Sequence, residues 1–426
     1  MSKILLLTYI LFVYLVPSSV LLRPEYLMSF ALTVIAVFSC KRECVSIHSR
    51  EMFLFLLLSF GAILSVFFQN LLGAELIYRD LMVLVRYAYY AFAIISGGYI
   101  AYKLKNTKYL KSALFILIMV SALISVFQYH NVLSINNIMN AYFSDKSEAL
   151  AIGYHWRRII GTYGNPNYWG LFLNFCVIIS LYFVVFKKSY IWGIPVLLLL
   201  LGIIYTGSRT TLVSLVISSI AIMYIIRKYK VEKISKNIIF AAMLMAVLAG
   251  GVKFIFLDNK SEIYSGEGRF STDNITTLEM RIEHWHKMIS HTFNHPMRIF
   301  IGGGESKGRI VVFGDNMYLK YFRDYGVIGL GIYLALLYSI YKSSLKILIN
   351  NKNIRHYSIP FLWVFICFLV FDLAADSWFV VRITGLILFY YGFLKVMDKA
   401  NTHTVEVKNE SLDNNIELER RGTRLR

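Results

Sequence analysis

Three groups of residues in this chain could do chemistry. The first is arginine: Arg86 within an apolar run, Arg157-Arg158 in a polar segment, Arg209 in YTGSRTTL, and Arg281 in MRIEHW. A guanidinium stays charged at any physiological pH and binds phosphate through two parallel hydrogen bonds, so such a set suits a phosphorylated ligand. Each also has a plainer reading. An arginine beside an apolar run can snorkel to lipid headgroups, and one inside it can form a buried structural pair. The second group is carboxylates, Asp315 in FGDNMYLKYFRDYGVIGLG and Glu283 in the 276–296 segment. Asp315 reads as a helix cap, since Asp favours helix N-termini electrostatically. The third is amide and aromatic side chains suited to sugars, Asn167, Tyr168 and Trp169 in GTYGNPNYWG. Asn167 also reads as an N-cap after the Asn165-Pro166 turn.

Two further patterns carry weaker signals. His284, His286, His291 and His295 fall in one short stretch. Only His291/His295 have ligand spacing, and no carboxylate or cysteine completes a shell, so surface histidines are the better reading. The run Gly302–Gly304 could cradle a phosphate with backbone N–H groups, but a flexible turn explains it more simply. Cys40, Cys44, Cys176 and Cys367 give neither a disulfide framework nor a zinc knuckle.

These residues need a scaffold, and composition supplies its class. The chain has 426 residues, 57% hydrophobic and only 16% charged, against about 25% charged in a soluble domain. Apolar runs near the roughly 20 residues that cross a bilayer recur at 4–22, 25–39, 52–68, 81–100, 110–128, 167–186, 190–206, 210–226, 238–257, 325–341, 357–373 and 377–394. The expected fold is an all-α polytopic membrane domain of about 12 helices over 1–399, with a polar tail at 400–426 that reads as disordered. The first run lacks a small-residue cleavage site and is followed at once by another, so it reads as a span and not a signal peptide. The net charge of +19 does not call for nucleic acid, because the lysines and arginines fall in short loops between runs. With the N-terminus in the cytoplasm, every loop on that side is basic. Loops 129–166 and 258–324 then face outward and are long enough to be functional. Thr276 and Glu279 form a capping box, and Leu278, Ile282, Trp285 and Ile289 repeat at helical spacing. The second loop therefore carries an amphipathic helix at the outer membrane surface.

Taken in order, Gly161-x-x-Gly164-Asn-Pro-Asn167, Ser208-Arg209, Arg281-x-x-x-Trp285, Pro296 with Gly302–Gly304, and Asp315-Asn316 ahead of Gly326-x-x-Gly329 resemble the O-antigen polymerase/ligase superfamily of GT-C-type membrane glycosyltransferases. The motifs cover about 160–335. The resemblance implies transfer of a glycan from undecaprenyl pyrophosphate on the periplasmic face of a bacterial inner membrane, with no nucleotide sugar, cofactor or metal. It implies that Arg209 and Arg281 hold the pyrophosphate and that Asp315 is the base, with Glu283 as the alternative. Arg86, Arg157, Arg158, Asn167, Asn316 and Tyr318 are further candidates for holding substrate. Ligases of this superfamily carry His where this chain has Asp315, which points to a repeat-unit polymerase whose acceptor is a second lipid-linked glycan. Its expected partners are membrane lipid, a chain-length regulator and a flippase. A ligase is the alternative within the superfamily, and a flippase or other transporter the alternative outside it. Charge concentrated in two outer loops, without threading the spans, favours an enzyme.

Overall fold

The computed structural model describes residues 2–16, 24–39, 47–73, 78–104, 107–143, 158–231, 275–304, 316–376, 378 and 380–400. The expectations for Arg157, Asp315, Cys40 and Cys44, the span at 238–257 and the tail beyond 400 lie outside these residues, as do the side chains of Thr276 and Glu279.

The described chain is helical throughout. In order it forms α1 (Ser2–Leu15), α2 (Pro24–Ser39), α3 (Ser49–Leu71), α4 (Tyr78–Leu104), α5 (Lys108–His130), α6 (Ile135–Tyr142), α7 (Pro166–Lys187), α8 (Gly193–Thr206), α9 (Arg209–Lys228), α10 (Ile275–Phe293), α11 (Pro296–Ile301), α12 (Met317–Asn350), α13 (Arg355–Phe371) and α14 (381–400). Among the described residues six helices are long and apolar enough to cross a membrane, and four shorter apolar ones accompany them. The chain is an all-α polytopic membrane protein, as composition predicts. In lipid a backbone must satisfy its own hydrogen bonds, and helices do so within one segment.

Hydrogen bonds sort the helix termini into two ends. At one end the Tyr357 hydroxyl reaches the Thr107 carbonyl (3.0 Å), Arg355 Nη1 the Val231 carbonyl (3.0 Å), and Asn351 Nδ2 the Asp398 carboxylate (3.0 Å). Lys187 Nζ meets His356 Nε2 there as well (3.0 Å). At the other end lie Gln128, the segment from Arg158 to Asn167, Thr206, Asn316 and the loop 372–376. Successive helices therefore alternate in direction, as the loop parity requires. Lys103, Lys108, Lys188, Arg227, Lys228 and Lys352 all belong to the first end.

Two features position the second end. The α7–α9 contact is close and polar. Asn174 Nδ2 donates to the Thr211 carbonyl (2.7 Å) and to Ser214 Oγ (3.2 Å), bonds that join helices where lipid offers no alternative partner. A Cβ on Gly170 would meet Thr211 Oγ1 at 2.4 Å. The second feature is a break in α12. The sequence predicts a span starting at 325, with Gly326 and Gly329 as a packing face. Instead the helix starts at Met317 and is interrupted at Gly326 (φ 65°, ψ −166°), a conformation open in practice only to glycine. A half-helix, 317–325, thus stands on the main span. It packs on an aromatic column in which Tyr321 and Tyr333 stack at 4.0 Å, Tyr333 meets Trp378 edge-on at 5.2 Å, and the Tyr87 hydroxyl bonds that of Tyr321 (3.1 Å).

At Gly326 a Cβ would also lie 2.3 Å from the Phe300 carbonyl. Gly326→Ala is therefore expected to lower the melting temperature of the detergent-solubilised protein by several degrees, combining a strain on the order of 1–3 kcal/mol with the clash. Gly331→Ala, where a Cβ meets nothing within 4 Å, should leave it unchanged.

Candidate functional site

The half-helix is held by the short loop between α13 and α14. Met317 N donates to the Asp372 carbonyl (2.9 Å), and Asn316 Nδ2 donates to the Leu373 carbonyl (2.9 Å). Asn316 Oδ1 accepts from Leu319 N (3.1 Å), so Asn316 caps α12, a role the sequence reading gives to Asp315. Tyr318 turns its hydroxyl to the Leu369 carbonyl (3.1 Å). The strongest contact is Lys320 Nζ to Asp376 Oδ2, at 2.7 Å. The lysine is 4% exposed and the carboxylate 24%. The other Asp376 oxygen accepts from the Tyr168 hydroxyl on α7. Burial pushes the Asp376 carboxyl up, but the charge and hydrogen bond of Lys320, with Tyr168 and a backbone N–H, outweigh it and hold the group below the usual carboxylate range.

A second set of bonds fixes the chain leading into α7. Arg158 Nε donates to the Thr206 carbonyl at the end of α8, and its Nη2 donates to Asn167 Oδ1 (3.2 Å). Gln128 Oε1 accepts from Ile160 N (3.1 Å) and Gly161 N (2.8 Å). Arg382, on α14, reaches the Val16 carbonyl (2.8 Å) and the Thr162 carbonyl, with its guanidinium 4.4 Å from the Tyr163 ring centre. The N-cap of α7 is Asn165, whose side chain accepts from the N–H groups of Asn167 and Tyr168; the sequence reading places that cap at Asn167. Ser208 caps α9 by accepting from Thr211 N, and exposed Arg209 is the first helical residue.

The N-termini of α7, α9 and α12 thus meet at one end, joined by Arg158, Asp376 and Lys320. Helix N-termini carry partial positive charge, and Arg209 adds a full one. Such an end favours an anion and keeps a carboxylate ionised.

Not every candidate joins this assembly. Arg158, Asn167, Asn316 and Tyr318 do, mainly as its framework. Arg86 is half-buried within α4, one turn from Tyr90. Arg281 is half-buried on α10. Glu283 lies on the exposed face of α10, paired with Lys287 at 2.5 Å. That hydrogen bond and charge lower its pKa and weaken it as a base. His295 leaves α10 as expected and caps α11, its Nδ1 accepting from Met297 N (3.2 Å). Sequence reasoning passes over Lys320, Asp376 and Arg382. The available signal is the pair of acids Asp372 and Asp376 crowded into a short turn between two spans, where charge is costly.

Residues 194–334 match the family model described as O-antigen ligase. The match identifies this segment as belonging to the O-antigen polymerase/ligase superfamily, without separating polymerase from ligase. No curated protein matches the chain.

Removing the Asp376 charge strands Lys320. Asp376→Asn is expected to destabilise the protein by about 3 kcal/mol, the scale for breaking an enclosed ion pair, with part recovered in Asp376→Asn/Lys320→Met. The folded-state pKa of Asp376 is lowered, so its contribution is complete above the ordinary value of 3.8 and is lost as pH falls through the lower folded value. Thermal melts should therefore show this difference between wild type and Asp376→Asn undiminished from about pH 5 to 8.

Proposed function

Starting from a chain whose residues 194–334 belong to the O-antigen polymerase/ligase superfamily, we propose that it polymerises oligosaccharide repeat units linked to undecaprenyl pyrophosphate into a surface polysaccharide. The observation that carries this reading is the end of the bundle that holds the N-termini of α7, α9 and α12 with Arg158 and Arg209, and where Asp376 is kept ionised. The basic loops at the opposite end support a cytoplasmic location for both termini and a periplasmic one for the site, in a bacterial inner membrane.

In the proposed reaction the sugar C1–oxygen bond to the donor pyrophosphate breaks as a hydroxyl of the acceptor glycan bonds to C1. The hydroxyl proton passes to a carboxylate, and the bond electrons leave with undecaprenyl pyrophosphate. Charge grows on the leaving group, so fixed cations aimed at it stabilise the transition state more than the ground state. We assign Arg209 and Arg281 to that pyrophosphate and Asp315 to the proton. Asn316, next to Asp315 in the chain, is fixed by its two hydrogen bonds. Arg86, Arg157, Arg158, Asn167, Glu283 and Tyr318 are assigned to substrate binding, several of them by supporting the surrounding backbone. A chain-length regulator and a flippase are the proposed partners.

The description of the matching family favours a second reading, ligation of a finished glycan to a different acceptor. Glycan ladders distinguish the two. Arg209→Ala, Arg281→Ala and Asp315→Ala are each expected to abolish long chains, with rates falling about 100-fold or more per lost group, while glycan of a single repeat persists. Normal chain length in all three variants would refute the site. Loss of the single repeat as well would point to the ligase.

A further inference from the structure

The C-terminal end of the half-helix, at the Gly326 break, holds a second group of hydrogen-bond donors. The break at Gly326 frees the carbonyls of Arg323 and Asp324 from the helix. Gly303 N takes the first (2.8 Å), and Gly304 N (3.0 Å) with Ser65 Oγ (2.7 Å) takes the second. This seats the 302–304 segment between α3 and the half-helix.

Enclosed donors lie around it. Gln69 on α3 is only 5% exposed and lies beside Gly304, its Cγ 3.6 Å from the position of a Cβ there. Its Nε2 is enclosed with no hydrogen-bond partner among the described residues. The same is true of Arg298 Nε on α11. His291 Nε2 sits 3.4 Å from the position of a Cβ on Gly303. Arg323 is fully buried against Asp324 (2.7 Å), and Arg298 adds a further positive charge among the described residues. Enclosed donors are costly unless an acceptor meets them, and a phosphate group offers several acceptor oxygens with the right sign of charge. The flanking surface is apolar: Phe67 and Leu71 on α3, Phe293 on α10, and Met297 and Phe300 on α11 are exposed.

We propose that Gln69, His291 and Arg298 form a second anion site, for the pyrophosphate of the acceptor lipid, with its polyprenyl chain against the apolar flank. This rests on the polymerase reading, because that reaction brings two polyprenyl pyrophosphates to the enzyme at once. One is released as leaving group and the other is kept. Lys320 and Arg323 lie three residues apart on the half-helix, about 5 Å along its axis and on the same face, so one short element borders both proposed lipid sites.

The test is native mass spectrometry of the full chain in phosphatidylethanolamine nanodiscs titrated with undecaprenyl pyrophosphate. Wild type is expected to bind two molecules. Arg298→Gln and Gln69→Glu should each weaken one of them at least tenfold and spare the other, with Arg298→Lys retaining part of the affinity. Arg209→Ala should weaken the other molecule and spare this one. Two binding events of unchanged affinity in both Arg298→Gln and Gln69→Glu, or a single event in wild type, would overturn the second site and leave the polymerase reading standing. No binding at all in folded wild type would overturn that reading itself. Phosphatidylglycerol displacing the second molecule at equal concentration would make this a general phospholipid headgroup site and overturn the acceptor assignment.

Discussion

The interaction on which the half-helix and its surroundings depend is the capture of two freed carbonyls. A membrane helix that stops short leaves backbone acceptors with no water to turn to. Here the Arg323 and Asp324 carbonyls are met by Gly303, Gly304 and Ser65, so α12 can break inside the protein without an unsatisfied group. The break lets nine residues stand as a separate half-helix, and that element carries Asn316, Lys320, Arg323 and Asp324 to their partners. Without the capture, Gly326 would be a weak point in a long helix. With it, Gly326 joins the amphipathic segment, the half-helix and α3 in one contact.

The site built on this element is mostly backbone supported by charge. Asp376 links α7 to α12, Arg158 links α7 to α8, and Arg382 links α14 to α1 and to the 161–163 turn. In each case a long charged side chain crosses from one helix terminus to a carbonyl or carboxylate on another. The low dielectric makes these bonds strong and makes the loss of either partner costly. The same framework leaves Arg209 exposed at the mouth of α9.

The membrane class and most helix positions were legible in the sequence, because apolar run length is a direct consequence of bilayer thickness. The caps were read one or two residues off: Asn165 for Asn167 and Asn316 for Asp315. Each motif contains two residues able to cap, and only the backbone decides between them. The break at Gly326 was hidden because a glycine at helical spacing reads equally as a packing face. Asp376 and Lys320 lie 56 residues apart, and no local period links them. Pairings of that kind are fixed by tertiary structure.

The Arg382 contacts bear on how the protein is made. This side chain bonds the carbonyls of Val16 and Thr162, so a late residue completes the turn that leads into α7. Asp372 and Asp376, which hold the half-helix, come from the same late segment. During synthesis the earlier helices enter the bilayer before any of these side chains has left the ribosome. The end that carries the N-termini of α7, α9 and α12 therefore gains its crossing bonds only once α13 and α14 have inserted, and a partly translated chain lacks the contacts that organise it.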